Sequence, residues 1–198
     1  DFSKFPMEIL LLKNLQILDL TASKIGVLPP EIGGLSNIKQ LALSYNEINI
    51  FPKEVYKLEA LKRLTIKRNL IQLLPKGIGG LKSLESLDIS YNPILELPND
   101  IGDLSELVKL NAYWLTIVEN AENFARYKNM KSLQKLPESI TRLSNLRLLN
   151  ISGSDVDRLP RGIRKRNLEE LNISRTKLSE VEITRIKKAL PKTDILAF

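Results

Sequence analysis

The sequence repeats itself with a period of 23 residues. An apolar residue followed by proline recurs seven times, and successive pairs are 23 residues apart except for one gap of 39. The pairs are Phe5-Pro6, Leu28-Pro29, Phe51-Pro52, Leu74-Pro75, Leu97-Pro98, Leu136-Pro137 and Leu159-Pro160. A regular period in this size range is typical of stacked repeat architectures, in which each unit packs only on its neighbours.

A second ladder of apolar residues, of the form LxxLxL, runs in phase with the first. Its seven copies begin at Leu15, Ile38, Leu61, Leu84, Leu107, Leu146 and Leu168. Alternating apolar residues indicate a short strand with one buried face. The predicted strands lie near residues 17–21, 40–44, 63–67, 86–90, 109–113, 148–152 and 170–174. Proline in the return segment favours an extended or tightly turning path rather than a long helix.

These units follow the pattern LxxLxLxxNxLxxLPxxIGxL, as in Ile38 to Leu61, and the chain resembles the leucine-rich-repeat family over essentially its whole length. The 23-residue form is similar to repeats of bacterial, spirochaete- and Bacteroidetes-type proteins and to Ras-suppressor and Scribble-type repeats. We therefore expect an α/β solenoid, a single domain over residues 1–198. It should be curved, with a seven-stranded parallel sheet on its concave side.

The resemblance also implies an Asn after each strand whose side chain bonds loop backbone. Asn46, Asn69 and Asn92 occupy that position, whereas the other repeats carry Ser23, Leu115, Ser154 and Thr176. Serine and threonine can form weaker local bonds of this kind. Leucine cannot, and Leu115 lies in the repeat that contains the long gap.

Two segments depart from the repeat. The extra residues, 118–133, contain no Gly or Pro, and Phe124, Tyr127 and Met130 could form one stripe of a short helix. This insertion is either a protruding binding element or an excursion packed on its neighbours. Residues 179–198 combine a helical pattern with the strand-like DILAF, which predicts a C-terminal helix-strand cap over the exposed end of the core.

Composition argues against catalysis by this chain. It has neither histidine nor cysteine, so the commonest general base, metal ligand and thiol nucleophile are absent. P-loop, GxSxG, GxGxxG and metal-ligand spacings are absent as well. We therefore expect a non-enzyme without cofactor or bound metal.

Candidate binding residues follow from the strand register. The column just after each strand reads Ala22, Tyr45, Arg68, Tyr91, Trp114, Gly153 and Arg175. Aromatic residues and arginine dominate interface hot spots, and Arg68 is close enough to stack between Tyr45 and Tyr91. With Tyr113 on the neighbouring strand position, Tyr45, Arg68, Tyr91 and Trp114 form the predicted partner site. Arg68 and Tyr91 are expected to be solvent-exposed. The alternative is that tyrosine simply suits the edge of a β-strand.

The net charge of +7 is unevenly distributed. Residues 1–125 hold 13 Lys/Arg and 15 Asp/Glu, and residues 126–198 hold 17 Lys/Arg and 8 Asp/Glu. Within the basic part, Arg161, Arg164, Lys165 and Arg166 are predicted to face outward on the convex side. They are either a patch for an anionic partner or a solvated surface.

We expect a protein-protein interaction module that binds its partner on the concave face. The alternatives are a recognition or targeting domain of a larger multidomain effector or receptor, and a binder of an anionic ligand or glycan. Nucleic acid is disfavoured, because no known nucleic-acid-binding signature occurs. No apolar run is long enough to span a bilayer. The sequence begins with Asp1, so the compartment stays open between the cytoplasm and export by a bacterium with the signal peptide removed; the oligomeric state also stays open.

Overall fold

The structure, a computed structural model, describes residues 4–114, 130–165 and 167–197. Over these residues the chain forms a solenoid in which short strands alternate with 3₁₀ helices. The strands are β1 (Ile17–Asp19), β2 (Gln40–Ala42), β3 (Arg63–Thr65), β4 (Ser86–Asp88), β5 (Lys109–Asn111), β6 (Leu148–Asn150), β7 (Glu170–Asn172) and β8 (Asp194–Leu196). Because β1 to β7 follow the LxxLxL ladder, each repeat contributes one strand.

The strands pair in parallel and in chain order, forming one sheet. The register is constant, so that Leu41 aligns with Leu64, and Leu64 with Leu87. The sheet has eight strands rather than the seven predicted from the repeats, because β8 of the cap pairs with β7. This sheet lines the surface that we call the concave face.

The strands are three residues long, not the five predicted. Backbone hydrogen bonds continue past them: the Leu20 N–H donates to the Ala42 carbonyl at 2.8 Å, and the Ala22 N–H to the Ser44 carbonyl at 2.9 Å. At Ala22, however, φ is 57°, and the same left-handed conformation recurs at Tyr45 with a φ of 59°. A left-handed residue therefore turns the chain out of its extended path three residues beyond the end of each of these strands.

The opposite side of the solenoid is built from 3₁₀ helices. They span Met7–Leu11, Pro30–Gly34, Lys53–Lys57, Ile78–Gly80, Asn99–Asp103, Glu138–Arg142 and Arg161–Lys165. The repeated proline contributes its carbonyl: Pro52 accepts a hydrogen bond from the Val55 N–H at 3.2 Å, which closes the first 3₁₀ turn. Glycine allows neighbouring turns to approach, because a Cβ at Gly33 would lie 2.5 Å from the Glu54 carbonyl oxygen.

A ladder of asparagine side chains joins consecutive repeats, as the resemblance implied. The Asn69 Oδ1 accepts from the Ile48 N–H at 3.0 Å. Its Nδ2 donates to the carbonyls of Leu43 at 2.9 Å and Ile66 at 3.0 Å. Asn46 and Asn92 repeat this arrangement one repeat before and after. Each side chain therefore satisfies buried backbone groups in its own repeat and in the preceding one.

The asparagine ladder is interrupted in the fifth repeat, where position 115 is leucine instead of asparagine. The N–H of Ile94, whose counterparts at Ile48 and Ile71 bond to asparagine, donates instead to the Asn92 carbonyl at 2.7 Å. Most of the predicted insertion lies outside the described residues. Its last residue, Leu133, is 4% exposed, and its carbonyl accepts from the Asp155 N–H at 2.8 Å. Leu133 therefore belongs to the regular core register and not to the extra segment.

The two ends of the core are covered differently. At the C-terminal end, α1 (Glu180–Ala189) begins at Ser179, whose hydroxyl accepts from the Glu182 N–H at 3.2 Å, and it buries Ile186. Together α1 and β8 form the predicted helix-strand cap. At the other end the first 3₁₀ helix buries Leu10, while Leu11 and Leu12 stay 77% and 54% exposed. Within residues 4–12 the core is therefore covered less fully than it is by α1 and β8.

We predict that Leu87→Ala lowers the free energy of unfolding by about 2–5 kcal/mol, because Leu87 lies on the central strand β4 and is fully buried. Urea denaturation checks this. Because repeats are coupled only to their neighbours, the two halves can separate into distinct transitions. An unchanged midpoint would contradict the core register.

Asn69→Ala should lower the free energy of unfolding by about 1–3 kcal/mol, because it leaves the buried Ile48 N–H without its partner. It also removes one hydrogen bond each from the Leu43 and Ile66 carbonyls, which keep their bonds from Asn46 and Asn92. The matched control is Asn37→Ala. Asn37 is exposed and donates one hydrogen bond, to the Lys13 carbonyl, so its loss should cost less than about 0.5 kcal/mol. Equal costs for the two variants would show that the ladder contributes no more than a surface bond.

Candidate functional site

The predicted binding column lies at the turn that ends each strand. Tyr45, Arg68 and Tyr91 have φ values of 59°, 54° and 54°, and Ala22, Gly153 and Arg175 share the left-handed conformation. For an L-residue this conformation costs about 1–2 kcal/mol. The backbone N–H groups compensate by continuing the sheet ladder, as where Tyr45 donates to the Lys67 carbonyl at 2.8 Å. The repeated turn therefore carries these side chains to one edge of the concave face.

Arg68 lies between two tyrosine rings, as the sequence predicted. Its guanidinium carbon is 5.2 Å from the ring centroid of Tyr45 and 4.8 Å from that of Tyr91. Both distances are within the range of cation–π attraction. The prediction that Arg68 is solvent-exposed is wrong: the residue is only 8% exposed, because both faces of its guanidinium are covered. Arg68 therefore holds the two rings in place.

Lys67 is a member of the cluster that the sequence analysis missed. Its ammonium group lies 5.7 Å from the ring centroid of Tyr45, 5.4 Å from Tyr91 and 5.7 Å from Tyr113. The long lysine side chain reaches over neighbouring strands, so that one cation contacts rings from three repeats. The sequence did offer one signal: Lys67 directly precedes Arg68 and occupies the same position of its repeat as Tyr113, the last before the turn.

Tyr113 and Trp114 extend the cluster into the fifth repeat. Tyr91 and Tyr113 meet edge to face with ring centroids 5.2 Å apart, and Tyr91 and Trp114 are 6.3 Å apart. Trp114 is 7% exposed, so most of its ring packs inside the molecule, whereas Tyr45 is 46% exposed. The structure thus brings together all five predicted partner residues and adds Lys67. We call these six residues the aromatic-cationic cluster.

The cluster is cationic at neutral pH. Partial burial opposes the charge on Lys67, but the Tyr113 hydroxyl and nearby Asp88 outweigh it, and the pKa of Lys67 is raised. Burial also raises the pKa of the Tyr91 hydroxyl, which is therefore protonated. Asp88 itself accepts hydrogen bonds from the Ser90 N–H at 3.0 Å and the Asn111 Nδ2 at 3.3 Å.

Residues 161–165 of the basic segment lie on the 3₁₀ side, away from this cluster. Arg161 is exposed on the 3₁₀ helix Arg161–Lys165, in which Ile163 is buried. The side chains of Arg164 and Lys165 and all of Arg166 lie outside the described residues. The anionic patch predicted for these four residues therefore stays a prediction.

Within residues 4–114, 130–165 and 167–197, no group of three or more Asp or Glu side chains is placed to hold a metal ion. In the same part of the chain, every helix is too short or too polar to cross a bilayer. The cluster itself combines aromatic faces, phenol hydroxyls and fixed cations, which is an arrangement suited to binding.

The sequence matches two family models. It fits the model described as "Leucine rich repeat" over residues 13–71 and the one described as "Leucine-rich repeat region" over residues 49–139. No match was found among the curated proteins.

Solved structures share the fold over nearly the whole chain. A leucine-rich-repeat protein of Leptospira interrogans is 35% identical, with a TM-score of 0.81 over 96% of this chain and 45% of that one. An internalin (inlF) of Listeria monocytogenes is 20% identical, with a TM-score of 0.76 over 98% and 50%, and this likeness shows the fold alone. The plant peptide hormone receptor RGFR1, solved in complex with RGF2, is 26% identical, with a TM-score of 0.75 over 98% and 30%. The chain spans half or less of the length of each.

Arg68→Ala should lower the free energy of unfolding by about 1–2 kcal/mol, because it removes a covered cation and its packed stem from between two rings. Arg175→Ala is the matched control, since Arg175 occupies the same column with a φ of 55° but is exposed. We expect it to cost less than about 0.5 kcal/mol. Thermal unfolding of both variants tests this, and an Arg68 variant as stable as the control would refute the ring contacts.

Proposed function

The chain belongs to the leucine-rich-repeat family, with repeats of the bacterial type, and on this premise we propose that it is a non-catalytic module that binds another protein on its concave face. The observation that carries the proposal is the aromatic-cationic cluster. Tyr45, Lys67, Arg68, Tyr91, Tyr113 and Trp114 hold one another in fixed positions at the edge of the sheet. We treat residues 1–198 as a single domain.

Preorganisation is what makes this surface suitable for recognition. Immobilising a long side chain on binding costs about 0.5–1.5 kcal/mol of binding free energy. In the cluster the side chains are already ordered when the chain folds, so binding does not carry this cost. Aromatic residues and arginine also bury a large area with few rotatable bonds. A partner placed against Tyr45, Lys67 and Tyr113 therefore meets a surface that is already ordered. The extra residues after Trp114 are proposed to form one wall of this site.

The structural relatives support a recognition role. RGFR1, which shares the fold over 98% of this chain, is a plant peptide hormone receptor solved in complex with RGF2. By analogy we propose that the partner presents an extended segment along the concave face, where it can contact several repeats at once. Because the chain covers only 45% of the Leptospira protein, the module could also serve as the recognition part of a larger effector or receptor.

Tyr45→Ala is the sharpest test of the site, because Tyr45 is the most exposed ring of the cluster and lies at its rim. The probe is a phage-displayed library of random peptides selected on the immobilised wild-type chain. For peptides that bind the cluster, Tyr45→Ala should weaken binding by at least about 2 kcal/mol, or thirtyfold in Kd, as expected for a hot spot.

Arg175→Ala serves as the control here too, because Arg175 lies in the same column but outside the cluster. Calorimetry with the selected peptides gives Kd, and melting curves show whether both variants remain folded. If every selected peptide binds Tyr45→Ala as tightly as wild type, the binding face lies elsewhere and the proposal fails.

A further inference from the structure

From the cluster we infer the chemistry of the partner: a protein segment that carries Asp or Glu side chains against Lys67, Arg63 and Lys109. This inference rests on the proposed function, because it names the partner of the same site. It is carried by two features of the concave face. The aromatic rings already hold the protein's own cations, and positive charge exceeds negative charge on the middle strands.

The tyrosine rings of the cluster already lie beside two cations of the protein itself. The three tyrosine rings, those of Tyr45, Tyr91 and Tyr113, each lie between 5.4 and 5.7 Å from the Lys67 ammonium group. Arg68 also lies over the rings of Tyr45 and Tyr91. A partner lysine or arginine that approaches the cluster would meet the positive charge of both groups. Aromatic faces attract a cation without neutralising it, so Lys67 still presents a positive charge to solvent.

The charges around the cluster are mainly positive. From β3 to the end of repeat five, the concave surface carries the accessible cations Arg63, Lys67 and Lys109 against one carboxylate, Asp88. Asp88 is engaged by the Ser90 N–H and the Asn111 amide. Just before these strands, Lys62 and Glu85 pair with each other at 2.8 Å. The middle of the concave face is therefore a positively charged strip.

The spacing of this strip fits an extended acidic segment. Arg63 aligns with Ser86 and Ser86 with Lys109, so the two exposed cations are two strand spacings apart, about 10 Å. Lys67 lies further along the same strand direction, at the edge formed by the cluster. Carboxylates are found instead on the outer strands, at Asp19, Glu170 and Asp194. An acidic segment is thus attracted to the middle strands and repelled from the outer strands of the sheet. This charge pattern determines where the segment binds along the concave face.

The experiment uses the same random-peptide selection, restricted to peptides whose binding depends on Tyr45. We expect these peptides to be enriched in Asp and Glu. Arg63→Gln combined with Lys109→Gln should weaken their binding by about three- to tenfold, as should Lys67→Gln alone. The double variant leaves every ring contact of Lys67 and Arg68 intact, so it separates charge from the structure of the cluster.

The matched control is Lys76→Gln combined with Lys82→Gln, which removes the same charge from exposed positions flanking the fourth 3₁₀ helix. It should change Kd by less than about twofold, because these charges are distant and screened. Raising the salt concentration from about 0.05 M to about 0.5 M should weaken wild-type binding and affect the Arg63/Lys109 double variant less.

The outcomes separate this inference from the function on which it rests. If Tyr45-dependent peptides show no excess of Asp and Glu, or bind both charge variants as tightly as wild type, the acidic partner is refuted while the binding module stands. If no selected peptide depends on Tyr45, the proposed function fails and the inference fails with it.

Discussion

A 23-residue repeat can bury its leucine face only against the next repeat, and the rest of this molecule follows from that requirement. The strands must pair in parallel with identical register, because any shift would turn Leu41, Leu64 and Leu87 out of the core. The asparagine side chains impose the same register from the loop side, since Asn69 must reach both the Leu43 carbonyl and the Ile48 N–H. Core packing and backbone hydrogen bonding therefore demand one geometry.

This periodicity also arranges the surface. A left-handed turn follows β1 to β4, β6 and β7, and it places one side chain per repeat at the same edge of the concave face. Cation–π contacts reach only about 6 Å, so neighbouring repeats can share them. Arg68 contacts the repeats on both sides, and Lys67 reaches Tyr113 two strands away. The cluster is thus a product of stacking, and no single repeat could hold it.

The irregular fifth repeat shows how far the register tolerates change. Strands β5 and β6 pair as regularly as the others, with Leu110 aligned with Leu149, although 39 residues separate their proline pairs. Leu133 resumes the buried position that Ile94 occupies one repeat earlier. The extra residues therefore leave the sheet undisturbed. In the sequence they follow Trp114, which is the last residue of the aromatic-cationic cluster.

The fold could be predicted from the printed sequence because its determinants are local and repeated: proline spacing, LxxLxL and the asparagine position each depend on residue type alone. The same pattern identified the column of Tyr45, Arg68, Tyr91 and Trp114. Only the tertiary structure showed that Arg68 is covered, that Lys67 joins three rings, and that Leu133 is core. Those properties depend on where long side chains lie relative to neighbouring repeats. The spacing of the sequence specifies the position of a residue within its repeat, but it does not specify the direction of its side chain.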